Sequence, residues 1–71
     1  MISKLELQRF IQAYEKYKKD NEYKESYFKT RDYLEEYSLY DELELIESLV
    51  DYGAEFDKIV KAIKLLGVEV V

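Results

Sequence analysis

Apolar residues recur along this chain at three- and four-residue steps, and the phase of that recurrence shifts along the way. Leu7, Phe10, Ile11, Tyr14 and Tyr17 form the first stripe. Their spacing predicts an amphipathic helix from about Lys4 to about Lys18. Ser3 stands at its N-cap, and Glu6 three residues later completes a capping box. A polar stretch, Lys18 to Glu22, follows. Tyr23, Tyr27, Phe28, Tyr33, Leu34 and Tyr37 then resume the pattern. At ~100° per residue the two stripes centre near ~300° and ~140°, so one straight helix would carry them on nearly opposite sides. A turn near Asp20–Asn21, with either residue as the new N-cap, brings both faces onto a common core. Two helices are therefore the favoured reading. A single long helix over residues 4–37 is the alternative if a dimer buries both faces.

A third helix is predicted after Tyr37, with Ser38 as N-cap and Asp41 and Glu42 in the first turn, where carboxylates suit the helix dipole. Leu39, Leu43, Ile46 and Val50 form its seam, widened by Leu45, Leu49 and Tyr52. Gly53 falls where a left-handed residue ends a helix. A fourth helix runs from about Ala54 to about Leu66. Phe56, Ile59, Val60, Ile63 and Leu66 are its inward face, and Lys58, Lys61 and Lys64 lie outside it. Gly67 is the second stop signal. Residues 68–71 read as a short extended tail that packs on the helices or adds to a neighbouring strand. The expected fold is all-α: one domain over residues 1–71, a small bundle of four short helices with an extended C-terminal tail.

Composition sharpens this picture. There is no Pro, only two Gly, no Cys and no His. Few breakers and much Glu, Lys and Leu favour helix. Without Cys or His there is no disulfide and no thiolate or imidazole metal site. A chain of 71 residues buries only ~60% of its unfolded surface, and such a core supplies ~3–5 kcal/mol. Homodimerisation, or docking on a partner, is the staple that remains. No apolar run approaches the ~18 residues of a membrane span, and the first residues lack a signal-peptide core. A cytoplasmic protein that does not enter membranes is expected. The unusual component is Tyr, eight residues against three Phe and no Trp. Its ring and polar tip suit half-buried seams and recognition surfaces.

Charge is strongly segregated. Between Asp32 and Asp57 there are ten carboxylates and no Lys or Arg. Residues 1–31 carry a net +3 and residues 58–71 a net +2, while the whole chain carries −5. A block of one sign repels itself and gains nothing from internal pairing. On the third helix, Asp41, Glu44, Glu47 and Asp51 fall at three- and four-residue steps opposite the Leu39/Leu43/Ile46/Val50 seam. They are expected to make one continuous exposed face, with Tyr40 beside it. Neighbouring carboxylates at ~5–6 Å have a spacing comparable to strand phosphates. The face therefore offers a phosphate-like field to a basic groove. The ordinary explanation is a solvated surface that keeps a small protein soluble, but such surfaces mix signs. A second ordinary explanation is compensation within the chain, with Lys58, Lys61 and Lys64, or Lys16, Lys18 and Lys19, lying against the acids. Exposed pairs of that kind contribute only ~0–1 kcal/mol each.

Other chemistries find less support. Lys16, Lys18, Lys19, Lys24, Lys29 and Arg31 are interleaved with Tyr17, Tyr23 and Tyr27, a mixture able to contact phosphates and stack on bases. Glu15, Asp20, Glu22 and Glu25 dilute it, and a pI of about 4.7 is far from the basic footprint of a nucleic-acid binder. The third helix, Gly53 and the fourth helix resemble a helix-turn-helix only in outline. Glu55 and Asp57 occupy the end that would approach phosphate. There is no His base, no Cys nucleophile and no Gly-rich phosphate loop. Mg²⁺ on Glu44, Glu47 and Asp51, with Glu35 and Glu36 from a second helix, is the residual catalytic option. The sequence thus predicts a non-catalytic acidic interaction module without cofactor. It would bind a basic protein partner, one that itself handles nucleic acid, through Asp41, Glu44, Glu47, Asp51 and Tyr40. The competing expectation is a homodimeric regulator that touches DNA with basic residues of 16–31 and 58–64.

Overall fold

The first helix, α1 (Lys4–Lys19), is nucleated by a complete capping box. The Ser3 amide donates to Glu6 Oε1 at 3.1 Å, and the Glu6 amide donates to Ser3 Oγ at 3.0 Å. These bonds satisfy donors that a helix start otherwise leaves unpaired. They also hold the Glu6 carboxyl below its ordinary range, through the Ser3 amide first and the Ser3 hydroxyl second. Ile2, just before the cap, is buried, as is Leu7 four residues into the helix. Both belong to the same core cluster, the arrangement of a hydrophobic staple.

The computed structural model describes residues 1–36 and 40–71, with Tyr40 through its backbone alone. After α1, Asp20 is extended (φ −147°, ψ 117°), and its carboxylate accepts the Glu22 amide at 3.0 Å. One 3₁₀ turn, Asn21–Tyr23, leads into α2 (Lys24–Glu35). α3 spans Tyr40–Asp51 and α4 spans Phe56–Leu65. Tyr17 stacks on Tyr27 with ring centroids 4.9 Å apart, and Glu6 shares a groove with Tyr33. The start of α1 therefore lies by the end of α2, and the two form an antiparallel hairpin. α3 packs against both, and α4 packs against α3.

α3 and α4 end by the same device. Gly53 has φ +77°; its amide bonds to Val50 O at 2.9 Å and the Ala54 amide to Leu49 O at 3.0 Å. Gly67 has φ +93°; its amide bonds to Lys64 O at 3.0 Å and the Val68 amide to Ile63 O at 3.2 Å. This is the Schellman pattern, which needs a left-handed residue at the position after the cap. The second turn sends the chain back along the bundle. Ile2 and Val70 form an isolated parallel bridge, in which the Ile2 amide donates to Glu69 O at 2.9 Å and the Val71 amide to Ile2 O at 3.0 Å. The tail therefore clasps the segment preceding α1, one of the two roles its sequence left open.

Ile2, Leu7, Phe10, Ile11, Tyr27, Leu34, Leu43, Ile46, Ile59, Val60 and Ile63 make one continuous core. Two assignments from periodicity need correction. Tyr52 is 89% exposed and Leu66 55% exposed. The Tyr52 amide still bonds to Ser48 O at 3.1 Å, and at ~100° per residue its side chain falls opposite Leu43 and Ile46. Leu66 follows the last residue of α4, where its amide turns to Ile63 O at 3.1 Å and the chain leaves the helical phase. Ser38, Leu39 and Tyr37 lie outside the described residues.

Candidate functional site

The row Asp41, Glu44, Glu47, Asp51 is divided by the packing of α3 into two pairs with different surroundings. Asp41 and Glu44 are exposed and make no ion pair among the described residues. Glu47 and Asp51 lie on the edge of α3 that meets the α1–α2 hairpin, and both are neutralised from within the chain. The Tyr27 hydroxyl donates to Glu47 Oε1. Arg31 Nη1 donates to that same oxygen at 3.2 Å and to the Tyr27 hydroxyl at 2.9 Å. Arg31 Nε donates to Glu35 Oε1 at 3.1 Å. At the other end of α3, Lys18 Nζ donates to Asp51, and the Tyr14 hydroxyl donates to both Asp51 oxygens at 2.9 and 3.1 Å.

The expected continuous face is thus not what the fold presents. Glu47 and Asp51 close a polar seam, while Asp41 and Glu44 remain on an open ridge. Ser48 and exposed Tyr52 continue that ridge at helical spacing. For Tyr40 only the backbone position at the start of α3 is described. The physical reason for the split is the chemistry of tyrosine. Tyr27 is 2% exposed, and a buried phenol requires an acceptor. Its ring sits among Phe10, Tyr14, Tyr17 and Phe28, with centroids 4.9–6.1 Å apart across the cluster. Such pairs add ~0.5–1.5 kcal/mol each beyond area burial. Once the ring is fixed there, its hydroxyl emerges at the α3 edge, where Glu47 receives it.

Titration follows this arrangement. Burial, then the hydrogen bond to Asp51, pushes the Tyr14 phenol up to about 12. Burial first and Glu47 second push the Tyr27 phenol further up. Asp51 is held below the ordinary carboxyl range by Lys18 first and Tyr14 second. Arg31 loses to burial but gains more from Tyr27, Glu47 and Glu35, so its charge is held firmly.

Of the ten carboxylates between Asp32 and Asp57, three are ion-paired: Glu35, Glu47 and Asp51. The other seven have no ion pair among the described residues. Lys58, Lys61 and Lys64 are exposed and make none either. Lys18 and Arg31, two cations of the basic 16–31 segment, are held by α3 acids. Among the described residues no cluster of three or more carboxylates is placed to hold a metal, and no helix is long and apolar enough to cross a membrane. Comparison of the chain with protein-family models, curated proteins and solved structures finds no match.

Proposed function

We propose that this chain is a non-catalytic interaction module that docks the open ridge of α3 onto a basic protein surface. One observation carries the reading. The fold neutralises Glu47 and Asp51 and leaves Asp41 and Glu44 without an ion pair among the described residues, although eleven Lys and Arg are present in the chain. Like charges at helical spacing cost a few tenths of a kcal/mol per pair, so a retained row of this kind is better accounted for by a partner than by stability. Asp41 and Glu44 are one turn apart on a helix braced by the core through Leu43 and Ile46. That rigidity limits the ordering cost of docking. Tyr52, fully displayed at the end of the ridge, supplies an aromatic anchor of the type enriched at binding hot spots.

A surface built to accept phosphates is the economical partner, because a stiff row of carboxylates competes for the same Lys and Arg side chains. Asp41 and Glu44 are the charged contacts in this reading, and Glu47 and Asp51 act by holding α3 in place. The test is capture of proteins from a lysate of the native host on the immobilised chain, followed by elution with duplex DNA. Captured proteins that leave with DNA support the reading. Retention through the DNA wash, or an absence of captured protein, contradicts it. Titration of the chain with duplex DNA at low salt separates the competitor: direct DNA binding that falls steeply with salt would assign function to the basic residues.

A further inference from the structure

The hairpin has a second surface, on the side of α1–α2 turned away from α3. A groove of about 390 Å³ is lined by Glu6, Arg9, Lys29, Thr30, Tyr33 and Leu34. A second hollow, of about 210 Å³, shares Arg9 and adds Ala13, Lys16, Tyr23 and Ser26. Among the described residues neither includes one of α3 or α4. Together they form one channel along the two helices. Leu34 is buried at its base, with half-buried Ala13 and Thr30 and exposed Ser26 beside it. Half-exposed rings, Tyr23 and Tyr33, stand at its two ends.

Its charge is opposite to that of the α3 ridge. Arg9 and Lys29 make no ion pair among the described residues. Lys16 lies over the Tyr23 ring, 5.7 Å from its centroid. Among the described residues Glu6 is the one acid in the lining; the Ser3 cap engages its carboxylate, which Arg9 also attracts. Small residues in the channel let a helix approach closely, and flanking cations select an acidic one, the requirements of helix-in-groove recognition.

We infer that the occupant of this channel is the α3 ridge of a second copy of the chain, so that copies associate head to tail through Asp41 and Glu44 of one and Arg9 and Lys29 of the next. The inference rests on the reading of α3 as a docking ridge and names a partner for it. Complementarity selects this occupant: the chain carries, on different faces, a helical acidic ridge that makes no ion pair among the described residues and a groove lined by Arg9, Lys16 and Lys29. The net −5 of each copy does not forbid it. The molecule is 19–33 Å across, well beyond the ~8 Å Debye length at physiological salt, so the facing patches outweigh the distant net charge. Ridge and groove being different surfaces, the contact is heterologous and grows into a ring or a chain of copies.

Sedimentation of two variants and their mixture provides the test. Asp41→Lys/Glu44→Lys breaks the ridge and Arg9→Glu/Lys29→Glu breaks the groove. All four positions are exposed, and circular dichroism checks the helices. Arg9→Gln/Lys29→Gln is the milder groove variant should the reversal disturb folding. Wild type is expected to gain mass as it is concentrated, and each variant alone to stay at the monomer mass of 8.6 kDa. An equimolar mixture of Asp41→Lys/Glu44→Lys with Arg9→Gln/Lys29→Gln is expected to stop at the dimer mass, because one intact ridge and one intact groove remain between them and a Lys ridge finds no acid to replace Arg9 and Lys29 in a Gln groove. Wild type that stays monomeric overturns the inference, as does self-association that survives both variants. Binding of a single-stranded oligonucleotide in the groove by a chain that does not self-associate also overturns it. A monomeric wild type whose ridge still captures DNA-displaceable proteins would sink the inference alone; loss of that capture sinks the ridge reading itself.

Discussion

Replacement of Glu47 by Ala tests whether the acidic block is divided between structure and surface. Glu47 Oε1 accepts from Tyr27 and from Arg31, and the Glu47 and Arg31 side chains are only 16% and 17% exposed. Solvent screening is therefore modest. Truncation leaves the buried Tyr27 hydroxyl without its carboxylate acceptor. Arg31 keeps Glu35 at 3.1 Å and Tyr27 at 2.9 Å, so its charge is not stranded. A hydrogen bond to a charged group contributes ~1.5–3 kcal/mol, and the ~3–5 kcal/mol of a fully orphaned buried ion does not apply. The expected loss is about 2 kcal/mol. For a domain of this size each kcal/mol moves the midpoint by ~4–8 °C, so the thermal midpoint should fall by roughly 8–16 °C. Glu44→Ala, one turn earlier on the same helix, should change stability by less than ~0.5 kcal/mol. Urea and thermal unfolding followed by circular dichroism measure both. A cycle with Tyr27→Phe should show a coupling of at least ~0.5 kcal/mol between positions 27 and 47. Equal behaviour of Glu47→Ala and Glu44→Ala would refute the division.

Ile2→Ala should cost ~2–5 kcal/mol and release the tail, visible as faster amide exchange at Val71 than in the parent chain. Gly53→Ala places a methyl in open space but at φ +77°, so backbone strain alone should lower stability by ~1–2 kcal/mol, read from urea midpoints. The Tyr14 phenol is raised to about 12, so the folded state favours its neutral form. The stability linked to it is fully present below ~10, the unfolded value, and is lost as pH rises toward 12. Absorbance of tyrosinate in an alkaline titration should show late phenols from Tyr14 and Tyr27, and the earlier of the two should disappear in Tyr14→Phe.

Most of the fold was legible because its signals are local. Ser3 and Glu6 marked the start of α1, Asp20 its end, and Gly53 and Gly67 the ends of α3 and α4, each through hydrogen bonds within a few residues. The site was legible only in part. Periodicity ranks positions by angle around α3, but it does not say how far the α1–α2 hairpin wraps over the edge of the seam. Glu47 and Asp51 sit on that edge, where the choice between solvent and neighbour depends on contacts 16–37 residues away in sequence. A signal existed: Tyr14 and Tyr27 fall on buried stripes, their hydroxyls need acceptors, and the acidic block is the local supply. Ile2 was readable as the staple residue before Ser3, yet its pairing with Val70 links the two ends of the chain and no local pattern announces it. Tyr52 misled because its ring suits a seam, whereas at ~100° per residue its position lies opposite Leu43 and Ile46, and its amide keeps the helical bond to Ser48 O.

The measurement closest to the central claim is the affinity of a captured basic partner for wild type and for Asp41→Lys/Glu44→Lys, with far-ultraviolet circular dichroism recorded on both. Helicity should be unchanged and affinity weakened by at least about tenfold, a loss of ~1.4 kcal/mol. Equal affinity for the two proteins, with both folded, would contradict the claim.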